Sequence, residues 1–108
     1  MGMLKFEVPN TLPLEDAKKR VEALLGYWNK KYGVTSAWNG VAASMKGKAM
    51  GVTIDGNLSV EGHRIAGEAT DPGMLLRGQA QKYLTQKFAQ YLDPKVTLEA
   101  LIAGQNDD

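Results

Sequence analysis

Between residues 34 and 70, apolar residues flank three glycine-containing breaks, Asn39-Gly40, Gly47-Lys48 and Gly62-His63. Taken as two-residue hairpin loops, the breaks pair Trp38 with Val41, then Met45 with Met50, Ala43 with Val52 and Val41 with Ile54, and finally Val60 with Ile65. A one-residue slip turns every strand side chain to the opposite face, so the agreement of the three loops predicts an antiparallel meander with one buried face. A two-residue turn at Asp55-Gly56 would set Ile54 against Asn57 and Val52 against Ser59. The even positions Met50, Val52, Ile54, Leu58 and Val60 instead keep one parity. This favours a single long strand over residues 49–61, bent at Gly56, although a three-residue loop over 55–57 also matches Ile54 to Leu58.

Outside the meander, Leu4, Phe6 and Val8 alternate with Lys5 and Glu7, the pattern of a half-buried strand. From Pro13 the spacing turns helical, with Leu14, Ala17, Val21, Leu24, Leu25, Trp28 and Tyr32 on one stripe. Glu15 and Asp16 open this helix, Lys30 and Lys31 close it, and Gly33 is a natural left-handed terminator. Gly26 in its interior suggests a close approach by another element. Asp71-Pro72-Gly73 suits the start of a second helix, in which Leu76, Ala80, Tyr83, Leu84, Phe88, Tyr91 and Leu92 form the stripe and Asp93-Pro94 the stop. Thr97 can cap a short helical turn carrying Leu98, Leu101 and Ile102. The predicted fold is α+β in two layers: an antiparallel meander with two helices on one face, in the order β-α-β-β-β-β-α plus a C-terminal helical turn.

Composition leaves that picture intact. The 108 residues, 44% hydrophobic and 23% charged, suit one domain, expected over residues 3–104. Met1-Gly2 reads as a remnant ahead of a natural start at Met3, and 105–108 as a polar, disordered tail. Cysteine is absent, which removes disulfides, thiolate metal sites and a cysteine nucleophile together. A formal charge of +1 gives no global field for nucleic acid. No run approaches the roughly 18 apolar residues of a membrane span, and no secretory signal precedes Leu4, so a cytoplasmic setting is expected.

Candidate chemistry is sparse. His63 is the single histidine and falls in a hairpin loop, where Glu61 and Arg64 can pair across the turn. Asp55, Glu68 and Asp71 are the acids nearest a strand end, but Asp-Gly is an ordinary bend signal. Gly47-Lys48-Ala49-Met50-Gly51 lacks the strand-to-helix setting of a phosphate loop. Lys18, Lys19 and Arg20 read as a solvated basic face diluted by Glu15, Asp16 and Glu22. No catalytic residue, metal or cofactor is expected. The small residues Ala42, Ala43, Ala49, Gly51, Gly67 and Ala69 leave a sheet face poorly filled by its own side chains. Either the helices pack close to it, the arrangement favoured on sequence, or a groove remains for an acyl chain or a partner helix.

The helix start Leu14-Glu15-Asp16-Ala17-Lys18-Lys19, the Trp38-Asn39-Gly40 turn, the strand through Gly51 and Gly56, and the helix end Leu92-Asp93 together resemble the small polyhydroxyalkanoic acid system proteins of bacteria. The resemblance spans about residues 3–93. It implies a link to storage-polyester metabolism by genomic neighbourhood and supplies no catalytic residues. Two functions are carried forward. One is a non-enzymatic binding or structural protein meeting polyester granules, granule proteins or a second copy of itself through Leu75, Leu76, Leu98, Leu101 and Ile102. The other is a binder of a small acyl ligand held among Trp28, Trp38, Met45, Met50 and Phe88.

Overall fold

A computed structural model describes residues 3–49 and 52–105. The elements run β1 (Met3–Pro9), α1 (Leu14–Tyr32), β2 (Thr35–Asn39), β3 (Ala42–Ala49), β4 (Val52–Val60), β5 (Arg64–Thr70), α2 (Arg77–Tyr91) and α3 (Leu98–Gly104). The strands form one antiparallel sheet in the order β1-β5-β4-β3-β2, so the N-terminal strand closes the meander on its β5 side. The α+β prediction and its element order hold. One sheet face carries Leu4, Phe6, Val8, Ala43, Met45, Leu58, Val60 and Ile65, all buried. Against it lies the α1 stripe of Ala17, Val21, Leu24, Leu25 and Trp28.

Two of the three loops sit elsewhere than predicted. Gly62-His63 joins β4 to β5 and Val60 pairs with Ile65, as expected. The first turn is Gly40-Val41, which pairs Trp38 with Ala43. The second break is no turn: β3 continues through Gly47 and Lys48, Ala49 pairs with Val52, and Met45 meets Gly56. Gly47 is a packing glycine, since a Cβ there would stand 2.9 Å from the Val34 Cα. Both corrections move the register by an even number of residues, so the predicted buried face survives except at Val41, which lies in the turn and is exposed. β4 passes through Asp55-Gly56 unbroken.

Both ends of α1 match expectation, with Gly33 left-handed at φ 73° and its N–H donating to the Asn29 carbonyl. Gly26, by contrast, is exposed and a Cβ there would meet nothing, so no neighbour explains it. Arg20 departs from its assignment to a basic surface: it is buried. Its Nη1 donates to the Tyr91 carbonyl at 3.2 Å and the Asp93 carbonyl at 2.9 Å, while Nε faces Asp16 at 3.4 Å. A cation at the carbonyl end of α2 is electrostatically well placed, and this clamp ties the end of α2 to the middle of α1.

The second helix begins later than the sequence suggests. Asp71 Oδ1 accepts from the Gly73 N–H, Gly73 turns the chain at φ 102°, and Asp71 pairs with Arg77 at 2.8 Å. Residues 71–76 therefore form a loop tied across its ends, and α2 starts at Arg77 without a side-chain cap. Thr97 does cap α3, accepting from the Ala100 N–H at 3.1 Å. Gln105, expected in a disordered tail, is anchored instead, donating to the Ala23 carbonyl and the Tyr91 hydroxyl. The remainder of that tail and Met1-Gly2 lie outside the described residues.

Candidate functional site

The stripe on α2 is used unequally along its length. Phe88, Tyr91 and Leu92 are buried, Ala80 and Leu84 are half-buried, and Leu76 and Tyr83 are exposed. The first half of α2 thus stands off the sheet while the second half packs on β1 and α1. The space left between them is a groove of about 380 Å³. Its buried floor is aromatic: Phe6 stacks on Phe88 at 5.2 Å, and Trp28 meets Phe88 edge-on at 5.8 Å. Met45, Ile54 and Ala69 line the sheet side, and Pro72, Leu76 and Tyr83 the rim.

Small residues lie beside the groove and beneath its floor. Ala69 lines it, and Gly67 lies under the Phe6 ring, where a Cβ would come within 2.7 Å of the ring and 2.5 Å of the Asn57 carbonyl oxygen. The groove, the less favoured of the two arrangements weighed from sequence, is the one present. Ala42 plays no part, because it points to the opposite, exposed face.

Of the expected ligand-binding residues, Trp28, Met45 and Phe88 converge on the groove. Trp38 does not line it; the Lys18 ammonium lies 5.3 Å from the centre of its ring. Met50 lies outside the described residues. The residues expected to form a partner surface are dispersed. Leu75 and Leu76 stand before the start of α2, whereas Leu98, Leu101 and Ile102 follow its end, and 15 helical residues span roughly 22 Å. Leu101 is buried in the core. Leu98 is half-buried, while Ile102 remains exposed. Between Pro72 and Leu76, which line the groove, Met74 is 86% and Leu75 93% exposed.

The groove's polar features lie at its rim. Trp28 Nε1 donates to the Tyr83 hydroxyl at 3.1 Å. Partial burial pushes the Tyr83 phenol up to about 12; the bond from Trp28 opposes the rise, and the neighbouring Tyr32 phenol adds to it. Tyr83 is therefore a neutral hydroxyl throughout the physiological range. Sequence reasoning placed Tyr83 only on an apolar stripe, and an amphipathic residue at the exposed end of that stripe was the available signal.

A second hollow is taken up by its own ion pairs. A hollow of about 420 Å³ beside β1 is lined by Lys5, Glu7, Arg64 and Thr85 among others. Its guanidinium is already held by Glu7 and Glu61, each at 2.8 Å. The bonds from Arg64, then Ser59, hold the Glu61 carboxyl below its ordinary range. His63 is exposed, with its carbonyl accepting from the Asn10 N–H. Asp55 and Glu68 fall on the outer sheet face, and Asp71 is paired with Arg77. Among the described residues, no group of three His, Asp or Glu side chains could hold a metal ion.

Residues 4–96 match the sequence profile of a family described as polyhydroxyalkanoic acid system protein. No curated protein and no solved structure matches the chain.

Proposed function

Because the chain belongs to the polyhydroxyalkanoic acid system protein family, we propose that it is a non-enzymatic binding protein of that system which holds an acyl segment in the groove between the sheet and α2. The observation carrying this reading is the groove itself, an apolar hollow of about 380 Å³ floored by Phe6, Trp28 and Phe88. Hollows of that size and lining are typical of small-molecule sites. The setting proposed is the bacterial cytoplasm beside the stored polyester; no described helix is long and apolar enough to cross a membrane.

The two tryptophans make the test specific. Titration with a medium-chain 3-hydroxy acid should change the fluorescence of the protein and of Trp38→Phe, and leave Trp28→Phe nearly silent, because only Trp28 lines the groove. An unchanged spectrum, or a response that survives loss of Trp28, would count against the groove.

A second reading is favoured by the exposure of Met74 and Leu75 on the tied loop, between Pro72 and Leu76. Apolar side chains held this far into solvent suit contact with an apolar surface, here the polyester granule. In a cosedimentation assay with purified granules, Leu75→Ser combined with Met74→Ser should reduce the bound fraction severalfold at unchanged thermal stability. Equal sedimentation of wild type and variant would discard this loop as the contact.

A further inference from the structure

Resting on the groove reading above, we propose that the Tyr83 and Tyr32 phenols form an acceptor-seeking anchor at the groove rim, and that the ligand is a single medium-chain 3-hydroxyalkanoic acid bound by its oxygenated end. Proton counting supports the anchor. The Trp28 indole can only donate, and it does so to the Tyr83 oxygen at 3.1 Å. Two phenolic protons then remain for Tyr83 and its neighbour Tyr32, both of which line the groove. Even where the two hydroxyls bond each other, one of these protons is left over. The pair therefore offers a donor to the groove, which suits a carbonyl or carboxylate oxygen.

Size and lining define the rest of the ligand. At roughly 30 Å³ for each non-hydrogen atom, about a water's share of liquid volume, a groove of about 380 Å³ accommodates about a dozen of them. A 3-hydroxyoctanoate or 3-hydroxydecanoate matches that count, whereas 3-hydroxybutyrate fills about half of it. The aliphatic chain lies against Phe6, Met45, Ile54 and Phe88, with the oxygens at the Tyr83 end. Gln79 also lines the groove and supplies a second polar side chain for the 3-hydroxyl.

Calorimetric titration with 3-hydroxydecanoate and with n-butylbenzene, a hydrocarbon lacking any acceptor, separates anchor from groove. The Tyr32→Phe/Tyr83→Phe double variant keeps the ring shapes, and its folding is checked by circular dichroism. It should bind 3-hydroxydecanoate about three- to tenfold more weakly, the net worth of one hydrogen bond, and n-butylbenzene as well as wild type does. Wild type should also prefer 3-hydroxydecanoate to 3-hydroxybutyrate by more than about tenfold, since each buried methylene contributes about fourfold. If the double variant binds both ligands like wild type, or loses affinity for both equally, the phenol anchor is wrong and the groove reading stands. If wild type binds neither ligand, the groove reading falls and the anchor with it.

Discussion

Phe88→Ala should lower the stability of the fold by about 3–5 kcal/mol, the usual range for emptying a buried aromatic site. Phe88 has no exposed surface, stacks on Phe6 and takes the edge of Trp28, so its removal leaves both partners facing a void. For a chain near 100 residues, each kcal/mol moves the melting temperature by about 4 °C or more, which puts the expected fall at roughly 12–20 °C. Phe88→Leu, which retains most of the volume, should lose far less. The void left by alanine opens into the groove, so a saturating hydrocarbon should raise the melting temperature of Phe88→Ala more than that of wild type. A fall below about 4 °C in differential scanning calorimetry would mean that Phe88 is not the keystone of the aromatic floor.

Arg20→Met carries the second large effect, about 2–4 kcal/mol of destabilisation. The substitution keeps an unbranched stem in the buried site but takes a charged donor from the Tyr91 and Asp93 carbonyls, and hydrogen bonds to charged groups contribute about 1.5–3 kcal/mol each. Arg20→Lys restores the charge without the guanidinium fork and should fall between wild type and Met. Because the clamp holds the end of α2, amide exchange should accelerate most over residues 88–93 and α3, and least in β4. Exchange that rises uniformly across the chain, or stability equal to wild type, would remove the clamp from the account.

Arg20 also shows how a buried charge escapes sequence reading. Its neighbours Lys18 and Lys19 suggest a solvated basic face, yet residue 20 stands three after Ala17 and four before Leu24, at the margin of the buried stripe. Spacing pointed inward while residue type pointed outward. What resolved the conflict was a pair of carbonyls more than 70 residues away in the chain.

The glycines divide in the same manner. Gly33 and Gly40 adopt left-handed backbone at φ 73° and 64°, and both were legible as chain-reversal signals. Gly47 and Gly67 look identical in the sequence but serve close approach, one to Val34 and the other to Phe6 and Asn57. Taking Gly47 for a turn displaced the β3–β4 register by six residues. The groove was legible only as one of two options. Whether a face of small residues is covered depends on how far the start of α2 stands off, and the loop leading into it carries the Asp71–Arg77 tie and the turn at Gly73.

By itself the sequence determined the class of fold, the order of its elements, the buried face of β1, β3, β4 and β5, both ends of α1, the cap of α3 and the family. The structural features follow from local periodicity and end chemistry, which are written into neighbouring residues, and the family from the likeness of the whole sequence to its profile. Only the tertiary structure decided the register of β2 against β3 and of β3 against β4, the burial of Arg20, the late start of α2 and the opening of an apolar groove beside Trp28. Each of these depends on contacts between residues distant in the chain, where a glycine or a cation takes its meaning from what lies against it.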